Sequence, residues 1–110
     1  MILFECDTDQ QASLHALEAA LAIQPHQLNL LLAVGGRRLK AGRTEEAEAA
    51  YREATQVAPK LGRAWAGLAM AQAMTGDRDA AADSCARALE LDAELVAARE
   101  FCEANRLVDP

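Results

Sequence analysis

Aromatic residues are scarce in this sequence: they make up 4% of its 110 residues, whereas 26 residues are alanine. Because alanine fills little space, a core built from alanine and leucine requires helices that approach each other closely. Alanine has the highest helix propensity, while β-sheets usually rely on β-branched and aromatic residues. The composition therefore predicts an all-α fold in one domain.

Basic residues are missing from the first third of the chain. Residues 1–36 contain no Lys or Arg. Residues 37–63 contain seven basic and four acidic residues, and residues 64–110 contain four basic and nine acidic residues. The net charge is −6, with an isoelectric point near 4.8. Since nucleic-acid binding requires a net basic surface, the charge argues against nucleic acid as a general partner.

The sequence also lacks the usual marks of secretion and membrane insertion. Its three cysteines, Cys6, Cys85 and Cys102, have no CxxC or zinc-type spacing, so we expect reduced thiols. The apolar residues at the N-terminus are too few for a signal peptide, and no basic residue precedes them. No apolar run approaches the roughly 20 residues that span a bilayer. These features predict a soluble cytoplasmic protein.

No arrangement of residues indicates catalysis, a cofactor or a metal. His15 and His26 have no cysteine or carboxylate at ligand spacing. Asp77, Asp79 and Asp83 lack the glycine and the closing glutamate of an EF-hand loop. Glycine-rich phosphate loops and Ser/His/Asp or Cys/His arrangements are also missing. We therefore expect a protein that is not an enzyme and has no cofactor.

Helix starts and stops divide the chain into six predicted helices. The capping-box pattern Thr8-x-x-Gln11 predicts a first helix from about Asp9, ending before Pro25. Thr44 is the predicted N-cap of the third helix. The remaining helices are predicted over about Gln27–Ala41, before the stop at Gly42; about Leu61–Thr75, before the stop at Gly76; after Asp77; and over about Glu94–Leu107. Connections this short place neighbouring helices antiparallel.

A 34-residue period runs through the chain. Gly42 returns as Gly76, and Ala47 returns as Ala81. A fixed period of this length is typical of stacked repeats, in which each unit buries its apolar face against the next. Such arrays usually act as binding surfaces.

The residues at these positions resemble the tetratricopeptide repeat, a 34-residue helix–turn–helix motif. The first complete unit spans residues 26–59 and the second spans residues 60–93. Residues 1–25 resemble part of an earlier unit, and residues 94–110 resemble the polar capping helix of such arrays. The matching residues are Leu31, Val34, Gly35, Gly42, Ala47, Tyr51, Ala54 and Pro59 in the first unit, and Trp65, Leu68, Ala69, Gly76, Ala81 and Ala88 in the second.

Some residues depart from the motif, among them Ala93, where proline is usual. Arg38 and Gln72 stand where the motif has tyrosine, and Cys85 stands where it has an aromatic residue. These departures concern packing and leave the resemblance intact. It implies a superhelical stack of antiparallel helix pairs that forms a single domain over residues 1–110.

The resemblance also implies a binding site, because the first helix of each repeat lines a concave groove in this family. Members that hold the terminal carboxylate of heat-shock chaperones use Lys, Asn and Arg there, whereas the matching places here hold Leu32, Gly36 and Gly67. An apolar or amphipathic peptide segment fits this surface better. The groove residues implied are Asn29, Leu32, Gly36, Leu39, Lys40, Arg63, Ala66, Met70, Ala73 and Met74.

Two hypotheses for the function follow. In the first, the chain is an adaptor, scaffold or chaperone-like module that binds a segment of another protein, helical or extended, in this groove. In the second, the chain self-associates, and the groove or the N-terminal half-repeat forms a homodimer contact. Neither hypothesis requires a nucleic acid, a membrane or a cofactor.

Overall fold

The computed structural model describes residues 2–107, and their side chains from residue 12 onward. This part of the chain contains six α-helices and no strand. The helices are α1 (Ile2–Ile23), α2 (Leu28–Lys40), α3 (Thr44–Val57), α4 (Gly62–Thr75), α5 (Arg78–Leu91) and α6 (Val96–Ala104). Each helix packs against the next one along the chain, and α2 also contacts α4. The predicted all-α stack of helices is confirmed.

Alanine fills the contacts between the helices, as the composition predicts. Because a methyl group is small, two helices that meet through alanine approach closely and exclude water along their length. The larger side chains that are fully buried are Leu31, Val34, Cys85 and Cys102. The alanines with no exposed surface are Ala47, Ala54, Ala64, Ala69, Ala71, Ala81 and Ala88.

Two glycines end α2 and α4 in the same way, one period apart. Gly42 has a φ of 80° and Gly76 a φ of 95°, in the left-handed region. After each glycine, the next backbone N–H donates to the carbonyl five residues earlier over 2.9 Å. This pattern is the Schellman motif, which satisfies carbonyls that a helix end leaves free. The two predicted helix stops are confirmed.

Polar contacts replace the tyrosines of the motif. Gln72 Oε1 accepts a buried hydrogen bond of 2.7 Å from Ser84 Oγ, which joins α4 to α5. Arg38 Nη2 donates to Glu18 Oε2 over 2.9 Å, and Arg43 Nη2 donates to the same oxygen over 3.1 Å. One carboxylate of α1 is therefore shared by the guanidinium groups of Arg38, in the last turn of α2, and Arg43, which immediately precedes α3.

The starts of α1 and α3 differ from the predictions. The first helix begins at Ile2, so the predicted start near Asp9 is wrong: the backbone is already helical there, and the side chains of the capping box lie outside the described residues. Helix α3 begins at Thr44, and Arg43 is its N-cap residue without a side-chain cap. Because the left-handed Gly42 has already reversed the chain, the helix starts one residue earlier than a Thr44 cap requires.

Helix α6 is shorter than predicted at both ends. Leu95 precedes it with a non-helical φ of −72° and ψ of 80°. At the other end Arg106 has a φ of 57°, and the N–H of Leu107 donates to the carbonyl of Cys102 over 2.8 Å. A left-handed residue ends a helix, so α6 stops before residue 107.

Cys85 of α5 and Cys102 of α6 form a disulfide, with their Cα atoms 6.2 Å apart. Both residues are buried. The expectation of reduced thiols is wrong for this pair, because the packing of α6 on α5 brings together two cysteines that are 17 residues apart. The side chain of Cys6 lies outside the described residues.

Candidate functional site

An apolar depression of about 350 Å³ lies where α2, α4 and α6 converge, and we call it the groove pocket. Its size is within the usual range of about 300–1,000 Å³ for ligand sites. Helix α4 supplies most of the lining, and α2, α3 and the start of α6 supply the rest. The lining residues are Leu32, Tyr51, Arg63, Ala66, Gly67, Met70, Leu95, Ala97 and Ala98.

Tyr51 reaches the groove pocket from α3 and is only 7% exposed. Its ring lies against two helices: a Cβ atom at Gly35 of α2 would lie 2.8 Å from Tyr51 Cε2, and one at Gly67 of α4 would lie 2.1 Å from Cε1. Burial raises the pKa of Tyr51 above its usual value. The phenol therefore stays protonated at neutral pH and can donate a hydrogen bond.

Arg63, near the start of α4, is the charged residue of the lining. It is exposed, and within the described residues no salt bridge joins it to a carboxylate. Its guanidinium offers several N–H donors and a positive charge at the edge of an otherwise apolar surface. This arrangement suits a ligand that is mainly apolar and carries an acidic group.

Four of the ten predicted groove residues lie together in the pocket, namely Leu32, Arg63, Ala66 and Met70. Gly36 lies next to its floor, because a Cβ atom there would be 3.4 Å from the hydroxyl oxygen of Tyr51. Five of the ten predicted positions, all on α2 and α4, therefore lie in or beside this pocket.

The structure places the other five predicted groove residues outside the pocket lining. Asn29 and Lys40 are exposed near opposite ends of α2, and Met74 is 55% exposed near the end of α4. Leu39 packs into the core between α3 and α4. Ala73 packs against the cluster that contains the disulfide. These residues form neighbouring surface or core and do not contribute to the same depression.

Five lining residues were not among the predicted groove residues. The sequence predicts Tyr51 as part of the apolar stripe of the third helix and residues 94–110 as a cap, and it marks Gly67 only as a place where chaperone-binding members carry a polar side chain. The period itself carries a signal for α6, since Ala97 follows Arg63 by 34 residues, just as Arg63 follows Asn29. Leu95 and Ala98 lie beside Ala97 and line the same wall.

Trp65 lies on the same helix as the groove pocket but does not line it. Its Nε1 donates to the carbonyl of Pro59 over 2.9 Å, and the guanidinium carbon of Arg87 lies 5.4 Å from the ring centre. The half-buried ring also packs against Ala66 and Ala88 of the core. These contacts give Trp65 the structural role that its place in the repeat predicts.

Two further kinds of feature are absent from the described part of the chain. No three His, Cys, Asp or Glu side chains there lie close enough together to hold a metal ion. None of the helices in residues 2–107 combines the length and apolar character needed to cross a bilayer.

A sequence profile of the tetratricopeptide repeat matches residues 38–61 and 62–95, which together make up more than half of the chain. The chain belongs to the tetratricopeptide repeat family, as its residues predict. No curated protein matches the sequence.

Solved structures share this fold at low sequence identity. The MamA protein superposes with a TM-score of 0.79 at 20% identity over 92% of this chain and 55% of that chain. PcrH, solved in complex with the chaperone binding region of PopD, superposes with a TM-score of 0.78 at 18% sequence identity. The match covers 93% of this chain and 82% of PcrH. The Sgt2 TPR domain from Aspergillus fumigatus superposes with a TM-score of 0.73 at 23% sequence identity. The match covers 96% of this chain and 77% of that domain. This chain therefore spans little more than half the length of MamA.

Proposed function

We propose that this protein is an interaction module, acting as an adaptor, scaffold or chaperone-like protein, that binds an apolar or amphipathic segment of another protein. The observation that carries the proposal is the groove pocket, an apolar depression with a single cationic residue. Leu32 and Met70 bury apolar groups of the partner, and Arg63 orients it. Full burial of one such side chain contributes about 1.5–3 kcal/mol, so a few anchors offset the cost of association.

The family and the known neighbours support a protein segment as the ligand. Tetratricopeptide repeat proteins are typically interaction modules without enzymatic activity, and PcrH was solved with the chaperone binding region of a second protein. We extend this chemistry to the present chain, and we include in the proposal that it has neither catalytic activity nor a cofactor. Because this chain carries a net charge of −6, which would repel the phosphates of a nucleic acid, the proposed partner is a protein.

Affinity capture from the native lysate tests this proposal. Wild-type protein and the Leu32→Glu/Met70→Glu double variant are compared by mass spectrometry, and a partner that only the wild type retains is the expected result. The matched control is Val57→Glu/Leu91→Glu, which places two carboxylates on exposed apolar residues outside the pocket. Equal capture by all three proteins would contradict the groove assignment, and circular dichroism verifies that each variant is folded.

Self-association is the other possible result of the same experiment. If the wild type retains only further copies of its own chain, the chain self-associates, and the contact is either the groove or the N-terminal half-repeat. Light scattering would then report a dimer for the wild type, and a monomer for Leu32→Glu/Met70→Glu if the groove is the contact.

We also propose that the protein resides in the cytoplasm, and the redox state of the disulfide tests this localisation. Cytoplasmic reductants keep most protein thiols reduced, whereas oxidising compartments preserve disulfides. Because both side chains are buried, the cells are lysed directly into denaturant with the alkylating reagent, and Cys85 and Cys102 should be labelled if the protein resides in the cytoplasm. Protection of both cysteines would place it in an oxidising compartment.

A further inference from the structure

We propose that the disulfide between Cys85 and Cys102 is a redox switch for the docking of α6. In the oxidised protein α6 packs on α5, and the residues around its start form one wall of the groove pocket. In the reduced protein α6 separates from α5 and loses its helix, so the pocket loses this wall. The switch itself needs no partner, and only its consequence for partner binding rests on the proposed function.

The disulfide stands where the preceding repeat has a large apolar contact. Cys85 lies 34 residues after Tyr51, and Cys102 lies 34 residues after Leu68. Tyr51 and Leu68 belong to one buried cluster between α3 and α4. Two cysteine side chains present much less apolar surface than a tyrosine and a leucine, and hydrophobic stabilisation grows with the apolar area buried. Phe101 packs against the disulfide cluster but remains half-buried. A covalent bond therefore takes the place of hydrophobic packing in this repeat.

Few buried side chains hold α6 against the array. Two of its nine residues are buried, namely Ala98 and Cys102, whereas α4 buries eight of its fourteen. After the helix, Leu107 joins the cluster that contains the disulfide. At an exposed position, Arg78 Nη2 of α5 donates to the carbonyl of Asn105 over 2.8 Å. Because these contacts are small, the crosslink decides whether α6 stays docked.

Helix α6 is too short to remain helical once it leaves α5. It has nine residues, and isolated helices shorter than about 12–15 residues are marginal in water. Leu95 provides no side-chain cap at its start. Near its other end Arg106 has a φ of 57°, which is unfavourable for a residue with a Cβ atom. Separation of α6 from α5 and loss of its helix are therefore one event.

Reduction and oxidation of the pair are balanced two-electron reactions. A thiolate of a dithiol reductant attacks one sulfur and forms a mixed disulfide, and the second thiol of the reductant then displaces that sulfur. The reductant leaves as a cyclic disulfide, and its two protons pass to Cys85 and Cys102. In the other direction, hydrogen peroxide oxidises one thiol to a sulfenic acid and releases water. The second thiol attacks the sulfenic sulfur, which forms the disulfide and releases a second water.

Hydrogen exchange on the full chain tests the docking of α6. Mass spectrometry compares the oxidised protein with the protein reduced by dithiothreitol. We expect the amides of α6 to exchange about 100-fold faster after reduction, because release of a crosslink between residues 17 apart favours the separated state by about this factor. The amides of α2 and α3 are the internal control and should change much less. Equal protection of α6 in the two forms would overturn the inference.

Thiol reactivity in the folded protein provides a second readout. A Cys6→Ser variant is reduced, freed of reductant and treated with N-ethylmaleimide without denaturant. Both Cys85 and Cys102 should be labelled, since separation of α6 exposes them, whereas thiols that remain buried are unreactive. Labelling that occurs only after denaturation would show that α6 stays docked in the reduced protein, and it would overturn the switch.

The variant Cys85→Ala/Cys102→Ala is the matched control, because it removes the crosslink without a reductant. Its α6 should exchange as fast as that of the reduced wild type, and dithiothreitol should have no further effect. Protection of α6 in this variant equal to that of the oxidised wild type would overturn the inference.

Methyl NMR connects the docking of α6 to the wall of the groove pocket. Ala98 packs in one buried cluster with Ala66 and Ala88. We expect nuclear Overhauser effects between these methyl groups in the oxidised protein and their loss after reduction. None of these measurements includes a partner, so an α6 that stays docked overturns this inference and leaves the proposed function standing. Affinity capture that finds no groove-dependent partner overturns the proposed function alone.

Discussion

Tyr51 and Gly67 fit together so closely that a Cβ atom at position 67 would lie 2.1 Å from Cε1 of the tyrosine ring. Carbon atoms that are not bonded do not approach to such a distance, so α4 can pass the ring only because residue 67 has no side chain. The contact joins α3 to α4 and sets the position of the ring at the floor of the groove pocket. A packing constraint within the repeat therefore shapes the proposed binding site.

Substitution of Gly67 by alanine should destabilise the protein. The added methyl group overlaps the Tyr51 ring, and overpacking of this kind costs about 1–3 kcal/mol. The matched control is Gly36→Ala. Its added methyl group would lie 3.4 Å from the Tyr51 hydroxyl oxygen, and alanine favours a helix more than glycine does, so this substitution should be neutral or slightly stabilising. Urea denaturation measures the free energy of unfolding of both variants. Equal losses of stability would contradict the close contact.

Much of the fold could be predicted from the sequence because its signals are local. The 34-residue period, the glycine stops at Gly42 and Gly76 and the alanine stripes depend on residues near one another in the chain. The ends of α1 and α6 could not be predicted in this way. The capping-box pattern at Thr8 lies within a helix that continues to Ile2, and Arg106 adopts a left-handed conformation that its residue type does not favour.

The site was predicted less completely because it depends on how the helices meet. Leu32 and Ala66, which stand one 34-residue period apart, both belong to the predicted groove and line the pocket, whereas Leu39, on the same helix as Leu32, packs against the core of α3 and α4 and does not line it. Tyr51 belongs to the second helix of its repeat, which is not predicted to line the groove, and the two glycines that flank its ring leave room for it at the pocket floor. Pairing of Cys85 with a cysteine 17 residues away also requires the docked helix.

Reduction of the disulfide should loosen α6. A crosslink between residues 17 apart contributes about 3 kcal/mol through the loss of freedom in the unfolded chain. We therefore expect a lower thermal unfolding midpoint in the presence of dithiothreitol. Weaker peptide binding should accompany it, because Leu95, Ala97 and Ala98 form one wall of the groove pocket.

Thiol counting provides the control for this prediction. In a Cys6→Ser background, alkylation of the denatured protein should label no cysteine before reduction and both Cys85 and Cys102 after it. Two labelled thiols before reduction would show that the pair is not oxidised. An unchanged unfolding midpoint on reduction would show that the crosslink does not hold α6.

Glycine at position 106 should stabilise the protein. Arg106 has a φ of 57°, a conformation that costs a residue with a Cβ atom about 1–2 kcal/mol and costs glycine very little. Arg106→Gly is expected to recover about 1 kcal/mol, measured by urea denaturation. The reciprocal change, Gly42→Ala, should destabilise by a similar amount, since a Cβ atom there meets nothing within 4 Å and only the φ of 80° opposes it. A destabilised Arg106→Gly variant would contradict this account.

The carboxylate of Glu18 should make the packing of α1 dependent on pH. Burial acts to raise the pKa of Glu18, but hydrogen bonds from Arg38 and Arg43 outweigh it, and the pKa lies below its usual value of 4.5. A carboxyl whose pKa is lowered in the folded state stabilises that state above the unfolded pKa, and the contribution is lost as the pH falls through the folded value. Hydrogen bonding to Arg43 likewise lowers the pKa of Glu46, so the two carboxylates act in the same direction.

Glu18→Gln should therefore be less stable than the wild type at neutral pH, and the difference should narrow as the pH falls below 4.5, where the wild-type carboxyl takes up its proton. Thermal unfolding across this pH range measures the difference. Glu90→Gln, at an exposed position of α5, provides the control and should match the wild type at every pH. Because Arg38 joins α1 to α2 through this one carboxylate, hydrogen exchange in Glu18→Gln should increase first in α1. An increase spread evenly over all six helices would mean that the carboxylate stabilises the whole array rather than the docking of α1.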